Sequence, residues 1–368
     1  MTKHVKRTFV AVLAVALSAA LLLSGCSAPK LIIGGISRTA GTIGEEKVAT
    51  GEYLAYLYNS FYSMYYSQGL YQYAQYGYDA WGQEYTYGEG DDEQKVDLAE
   101  YIKLTAKDNL VRQAALRQLL KKYNIEWNAD KLKETEEQLA SLGKDAYLAL
   151  GINDEHFADA YKQLVLNEYS VFYTLYGKGG EREVSEADRR AYFEKNFVSY
   201  KIIEMSLLDS EGAEMGDKAK KEVTDELEDY LAIYKQTGSF EKAVDTYNKS
   251  QATDGEETQA STDAQNRKDV DASQADEQLI KAVRSVDVGS AKVVTYKAGG
   301  TTPTAALILR LDIHTPNTLF ADKTEEILYG AKHEEFDAEV QKVIDGLPVK
   351  LKASVVKKCS PKNFVTNE

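Results

Sequence analysis

The periodicity of apolar residues changes twice along this chain of 368 residues. Up to about Gly180, apolar residues recur every three or four positions, which predicts helices. Residues 185–315 mix shorter helical stretches with runs typical of β-strands, and from about Ala321 the helical pattern returns. This order predicts an α+β fold that is mostly helical, with a small α/β module inserted into a helical part.

The N-terminus has the features of a secretory signal. Lys3, Lys6 and Arg7 precede an apolar stretch at 8–23, which at 16 residues is shorter than a membrane-spanning helix. The string LSGC that follows resembles a bacterial lipobox, whose cysteine is acylated and anchors the mature protein. Cys26 is therefore the expected lipidation site, and the alternative is an ordinary signal with an incidental cysteine.

Composition argues against several classes of function. The chain carries 58 acidic and 44 basic residues, so its formal charge of −14 disfavours binding to nucleic acid. Its two cysteines and four scattered histidines lack the spacing of metal sites. Phosphate-binding and nucleophile motifs do not occur in the sequence. We expect no catalytic residue, no metal and no cofactor.

Tyrosine is concentrated in one segment, because residues 53–87 hold twelve of the 26 tyrosines. Glycines and polar residues between 69 and 90 interrupt the helical period and predict an aromatic-rich loop. One interpretation is a polar insertion with a few rings packed on the core. The other is a surface that binds unfolded polypeptide, since tyrosine offers a large amphipathic contact area. In that second interpretation the client-binding residues are Tyr62, Tyr65, Tyr66, Tyr71, Tyr73, Tyr76, Tyr78 and Trp81.

Local patterns also predict where elements begin and end. Helices are expected to start at the capping residues Thr50, Asn128, Asn153 and Ser185. Residues 251–276 are polar and acidic, which predicts a mobile loop. Residues 349–355 alternate apolar and polar side chains, which predicts a one-sided strand.

Five short motifs occur in an order that resembles one family. They are IGEEKV at 43–48, VSEAD at 184–188, GSFEKAV at 238–244, QLIKAV at 278–283 and SPKNF at 360–364. Together they resemble the PrsA/SurA-type extracytoplasmic foldases, lipoproteins or periplasmic chaperones that carry a parvulin-like (PpiC-type) module.

The resemblance implies a discontinuous SurA-like helical chaperone lobe with the parvulin-like module inserted in it. The expected divisions are a lipoprotein signal peptide at 1–25, a tether at 26–41, an N-terminal helical chaperone domain at 42–184, the parvulin-like module at 185–316 with its acidic loop at 251–276, and a C-terminal helix and strand at 317–368 that return to the chaperone domain.

The module departs from the pattern that the resemblance implies. Active parvulins carry a histidine on the first strand and another on the last. Met205 or Glu204 stands at the first position and Leu307 at the second. Rotation about a prolyl amide must cross a barrier of about 18–20 kcal/mol, which requires oriented polar groups. We therefore expect a degenerate isomerase pocket at Met205 and Leu307.

The resemblance and the anchor together imply a membrane-tethered chaperone or foldase that binds unfolded segments of secreted proteins without ATP. Its partners would be nascent or unfolded secreted proteins and, through acylated Cys26, the bilayer at the outer face of the cell membrane; a homodimer is also considered. The alternatives are an active peptidyl-prolyl isomerase and a substrate-binding lipoprotein. The long helical front half argues against the second alternative.

Overall fold

The computed structural model describes residues 38–67, 70, 79–88, 90, 93–142, 148, 152–252 and 259–364. Helices dominate this part of the chain, which also contains small antiparallel sheets. The predicted α+β, mostly helical class is therefore confirmed. The chain divides into two compact units, one formed by 1–182 with 334–368 and the other by 183–333. We call them the discontinuous unit and the inserted unit.

The discontinuous unit contains helices packed around a central aromatic helix and two small sheets. Its elements are β1 (Thr39–Ile43), β2 (Glu46–Ala49), α1 (Thr50–Tyr62) with a π-helical turn (Ser63–Ser67), a 3-10 turn (Ala80–Gly82), β3 (Glu84–Tyr87), β4 (Gln94–Asp97), α2 (Leu98–Lys122), α3 (Ala129–Ser141), α4 (Asp154–Tyr176), β9 (Val349–Leu351), α12 (Ala353–Lys358) and a final 3-10 turn (Pro361–Phe364). One sheet has the order β2-β1-β9, and the other pairs β3 with β4.

The helix starts of this unit follow the capping rules at two predicted positions. The Asn128 side chain accepts a hydrogen bond from the Lys131 N–H, and Asn153 accepts one from the His156 N–H. The predicted cap at Thr50 is wrong, because the N-cap residue is Ala49, whose side chain makes no capping bond. Strand β2 ends at Ala49 and leads directly into α1, so no turn residue separates them.

Two other predictions for this unit require correction. The segment at 69–90 is not only loop, because β3 pairs with β4 from Glu84 opposite Asp97 to Tyr87 opposite Gln94. The strand predicted at 349–355 ends at Leu351, which pairs with Gly41 of β1, and one more hydrogen bond follows, from the Lys352 N–H to the Ala40 carbonyl. The chain then turns into α12, which buries Val355 in the core.

The inserted unit is built on a four-stranded antiparallel sheet of order β6-β5-β8-β7. Its elements are α5 (Glu186–Asn196), β5 (Phe197–Ser206), α6 (Asp217–Thr237), α7 (Phe240–Gln251), α8 (Asp263–Asn266), β6 (Lys268–Asp271), α9 (Glu277–Arg284), β7 (Ala291–Ala298), β8 (Thr302–Leu311) and α10 (Leu319–Asp322). Helix α11 (Thr324–Asp345) then spans the division between the two units.

Each face of this sheet packs on different helices, because strand side chains alternate between faces. Ile203 and Leu307 lie on the face that packs on α6 and α7, with Leu227 and Phe240. The other face packs on α9.

The loop predicted at 251–276 is partly wrong, because it contains α8 and strand β6. Strand β6 pairs with Phe197–Tyr200 of β5. Polar contacts hold much of this segment: Asp269 accepts hydrogen bonds from Ser199 and from Arg267, and Asp263 forms an ion pair with the buried Lys201. Val270 adds a partly buried apolar contact with the sheet core. Low apolar content therefore gave no sign of this order.

Ion pairs join the two parts of the discontinuous unit. Arg112 on α2 donates hydrogen bonds of 2.8 Å to both Glu168 on α4 and Asp337 on α11. Glu339 on α11 accepts hydrogen bonds from Arg182, Tyr123 and Lys122. Burial alone would raise the pKa of Glu339, but these donors outweigh it and lower that pKa to about 2.

We expect the Glu339 contacts to make the stability of this unit depend on acid pH. The folded pKa of about 2 lies below the usual value for glutamate, so the stabilisation is complete above about pH 4.5 and is lost as the pH falls toward 2. At pH 7, Glu339→Gln should lower the free energy of unfolding by roughly 1–3 kcal/mol, since hydrogen bonds to a charged group are lost.

Thermal unfolding followed by circular dichroism between pH 7 and 2.5 measures this effect. Glu334→Gln on the same helix is the matched control, because Glu334 is exposed, and it should leave the curve unchanged. The wild type and Glu339→Gln should converge at the acid end. A constant gap between them at every pH would contradict this assignment.

Candidate functional site

The structure describes only some of the predicted client-binding side chains. Tyr62 and Tyr65 are buried, with 5% and 4% of their surface exposed. Trp81 is partly buried and packs against the same core. The other predicted rings lie outside the described side chains: Tyr66, Tyr71, Tyr73, Tyr76 and Tyr78. Cys26 also lies outside the described residues.

Among the described side chains, Trp81 stacks with two other rings, Phe61 and Tyr65, and we call these three rings the Trp81 stack. The Phe61 and Tyr65 rings lie one helical turn apart at the end of α1, with centroids 5.1 Å apart and planes at 20°. The Trp81 ring is 6.3 Å from Phe61 and 5.8 Å from Tyr65 and is nearly parallel to both. Phe61 and Tyr65 are buried, so Trp81 is the most exposed of the three rings.

Local contacts fix the position of Trp81. Asp79 caps the short 3-10 turn by accepting a hydrogen bond of 3.0 Å from the Trp81 N–H. The Lys362 ammonium lies 5.8 Å from the Trp81 ring centroid, within the range of a cation–π contact. The indole is therefore held by the backbone turn and by the C-terminal segment, with part of its surface available to solvent.

A second aromatic group lies where the β3–β4 hairpin meets α2. The Tyr85 and Tyr101 rings are 5.3 Å apart, and Tyr87 meets Tyr101 edge to face at 6.2 Å. The Tyr87 hydroxyl donates a hydrogen bond to Asp108. All three rings are partly exposed. Together with Trp81 they give this unit half-exposed aromatic area that sequence reasoning assigned to the neighbouring tyrosines.

A small cleft lies between α1 and α4, lined by Tyr58, Phe157, Tyr161 and their neighbours. Its volume of about 10 Å³ is about that of one water molecule. This cleft is too small to admit a client side chain.

The inserted unit places the two predicted pocket positions in its core. Leu307 is completely buried and lies opposite Ile203 in the sheet. Met205 is half-buried and packs on the same cluster, between the sheet and helices α6 and α7. The buried Leu307 side chain therefore lines no open surface.

A polar pair occupies the opposite face of the same sheet. The Tyr296 hydroxyl on β7 donates a hydrogen bond to Glu204 on β5. Burial raises the pKa of Tyr296, and the hydrogen bond and the negative charge of Glu204 raise it further. Tyr296 thus stays protonated and donates to the Glu204 side chain. Strand alternation was the available signal, because it places 204 on the face opposite 203 and 205.

The described histidines contact other residues. The His156 ring lies against Gly51 in the discontinuous unit. In the inserted unit, His333 Nδ1 lies 3.1 Å from the carbonyl oxygens of Tyr329 and Gly330, and His314 pairs with Glu194. Strands β5 and β8 contain no histidine.

Among the described residues, no helix is both long enough and apolar enough to cross a bilayer. The chain matches no protein-family model and no curated protein.

Three solved structures show weak similarity to the chain. The foldase protein PrsA from Streptococcus pneumoniae has 13% identity and a TM-score of 0.35, over 74% of this chain and 97% of its own. PrsA from Lactococcus lactis has 11% identity and a TM-score of 0.34, over 86% and 96%. PrsA from Bacillus subtilis has 16% identity and a TM-score of 0.26, over 72% and 92%. Similarity at these TM-scores does not assign this chain a family or a function.

Proposed function

We propose that this protein is a lipid-anchored extracytoplasmic chaperone that binds unfolded segments of secreted proteins without ATP. The observation that carries the proposal is the division of the chain, in which residues 183–333 form a compact unit between the two parts of a mostly helical unit. The motif resemblance to PrsA/SurA-type foldases implies a helical chaperone lobe interrupted in this way.

The anchor in this proposal is Cys26, which is acylated and becomes the first residue of the mature chain. Two or more acyl chains give stable membrane attachment, at about 0.8 kcal/mol per buried CH₂. A chain with a net charge of −14 is repelled by anionic lipid, so lipidation has to provide the membrane attachment.

Cys26→Ala tests the anchor directly. In a bacterial host fed a radiolabelled fatty acid, the wild-type protein should incorporate label and sediment with membranes. Cys359→Ala is the matched control, since Cys359 is the chain's other cysteine and is buried; it should keep both the label and the membrane location. Equal labelling of Cys26→Ala would contradict the anchor.

Client binding in this proposal uses the half-exposed aromatic area of the discontinuous unit, with Trp81 as its largest ring. Aromatic surface binds many sequences because the contact depends on apolar area and not on a pattern of donors. A partly exposed tryptophan that packs against buried rings is typical of residues that dominate binding energy.

We expect Trp81→Ala to weaken client binding about fivefold to tenfold, equivalent to roughly 1–1.4 kcal/mol. The measurement is suppression of aggregation of a chemically unfolded protein by full-length protein in detergent, as a function of chaperone concentration. The matched control is Trp127→Ala, the chain's only other tryptophan, which is also partly buried and donates a hydrogen bond to Asn167.

Thermal unfolding should show that both tryptophan variants fold. Equal loss of suppression in the two variants would mean that Trp81 has no special role. Failure of the wild-type protein to suppress aggregation at stoichiometric ratio would overturn the chaperone function itself.

The inserted unit is proposed to be a degenerate isomerase. Leu307 and Met205 offer no acid, base or hydrogen-bond donor, and the Tyr296–Glu204 pair lies on the opposite face of the sheet. We expect full-length protein to accelerate isomerisation of an Ala-Pro peptide less than about twofold, because the barrier of about 18–20 kcal/mol is not lowered. Robust turnover that Glu204→Gln abolishes would show an active site on the Glu204 face and would reverse this conclusion.

A further inference from the structure

Strand β7 is an edge strand of the four-stranded sheet in the inserted unit. It pairs with β8 along all eight of its residues, from Ala291 opposite Leu309 to Ala298 opposite Thr302, without a register shift. In the strand order β6-β5-β8-β7, no described strand lies on its other side. An edge strand presents a row of unpaired backbone groups that another chain can pair with.

The hydrogen bonds to β8 show which groups of β7 point outward. Just before β7, the Ser290 carbonyl accepts a hydrogen bond from the Arg310 N–H of β8. Pro303 of β8, which lies opposite Lys297, directs its carbonyl to the other neighbour of β8, where it accepts from the Leu207 N–H. In an antiparallel pair the residues alternate between bonded and non-bonded positions. The even-numbered residues of β7 therefore bond to β8, and Val293 and Thr295 direct their N–H and C=O groups away from it. The Lys297 carbonyl instead accepts a hydrogen bond from the Gly300 N–H in the following turn.

The charges of β7 favour one kind of occupant. Lys292 and Lys297 are both exposed. A strand that carries carboxylates opposite Lys292 and Lys297 would form an ion pair at each position, whereas lysines there would place like charges directly opposite each other. Strand β7 itself contains no carboxylate, so a second copy paired along it would not supply these ion pairs.

We propose that an extended, carboxylate-bearing segment of an unfolded polypeptide adds to the β7 edge as a fifth strand. Main-chain hydrogen bonds would supply affinity for many sequences, while Lys292 and Lys297 would select acidic segments over basic ones. This inference rests on the proposed function, since it names a binding element for unfolded clients, and it is separate from the Trp81 stack.

Peptide binding tests the charge preference. The probes are two labelled, terminally blocked octapeptides, TEVTVVET and TKVTVVKT, whose charged residues are five apart like Lys292 and Lys297. Full-length protein in detergent should bind the glutamate peptide about tenfold more tightly than the lysine peptide. Amide hydrogen exchange should slow in 291–298 when the glutamate peptide is bound. Equal affinities, or protection only elsewhere in the chain, would overturn the proposal.

A backbone variant tests the edge itself. Thr295→Pro removes one outward N–H and leaves the bonds to β8, because proline is tolerated on edge strands. It should weaken binding of the glutamate peptide about tenfold, whereas Thr295→Ala keeps the donor and should bind like the wild type. Equal affinity of Thr295→Pro and Thr295→Ala would overturn the proposal.

If Thr295→Pro does not fold, the double variant Lys292→Glu/Lys297→Glu decides. A preference reversed toward the lysine peptide supports edge pairing, and an unchanged preference overturns it. Aggregation suppression separates this inference from the proposed function: suppression without peptide addition would refute only the edge site, and addition without suppression would refute only the chaperone function.

Discussion

The discontinuous unit depends on a contact between segments far apart in the chain. Arg112 on α2 bonds to Asp337 on α11, 225 positions later, and also to Glu168 on α4. Next to these ion pairs, the completely buried Phe336 ring meets the Phe172 ring edge to face at 5.4 Å. Because α11 is fixed by both charge and packing, the inserted residues 183–333 begin and end on one folded unit. Closing a long loop costs only slightly more than closing a short one, so such an insertion is thermodynamically acceptable.

In the inserted unit, ion pairs with a buried lysine order a polar segment. Lys201 on β5 is buried and forms ion pairs with Glu241 on α7 and Asp263 on α8. A buried ammonium without partners would be costly, so the two carboxylates compensate the charge of Lys201. This requirement explains why an acidic stretch with few apolar residues contains an ordered helix and strand.

Sequence reasoning succeeded where one residue determines local structure. Asn128, Asn153 and Ser185 cap helices as predicted, because an N-cap needs only a short polar side chain beside free N–H groups. It failed where the outcome depended on distant partners. Ser199 bonds to Asp269 of strand β6, Lys201 pairs with Asp263 of α8, and β9 pairs with β1 only as far as Leu351. The aromatic segment shows the same limit: composition identified a cluster of rings, but only the fold shows that Tyr62 and Tyr65 are buried and that Trp81 is the most exposed ring of its stack.

The two proposed binding elements would recognise different general properties of an unfolded chain. The Trp81 stack offers aromatic area, which responds to exposed apolar side chains whatever their order. The β7 edge offers backbone donors and acceptors, which respond to any extended segment with free N–H and C=O groups. A folded protein hides both properties at once, because burying its apolar side chains requires pairing its main chain. A chaperone that used both would therefore release a client through the client's own folding, with no need for ATP to drive release.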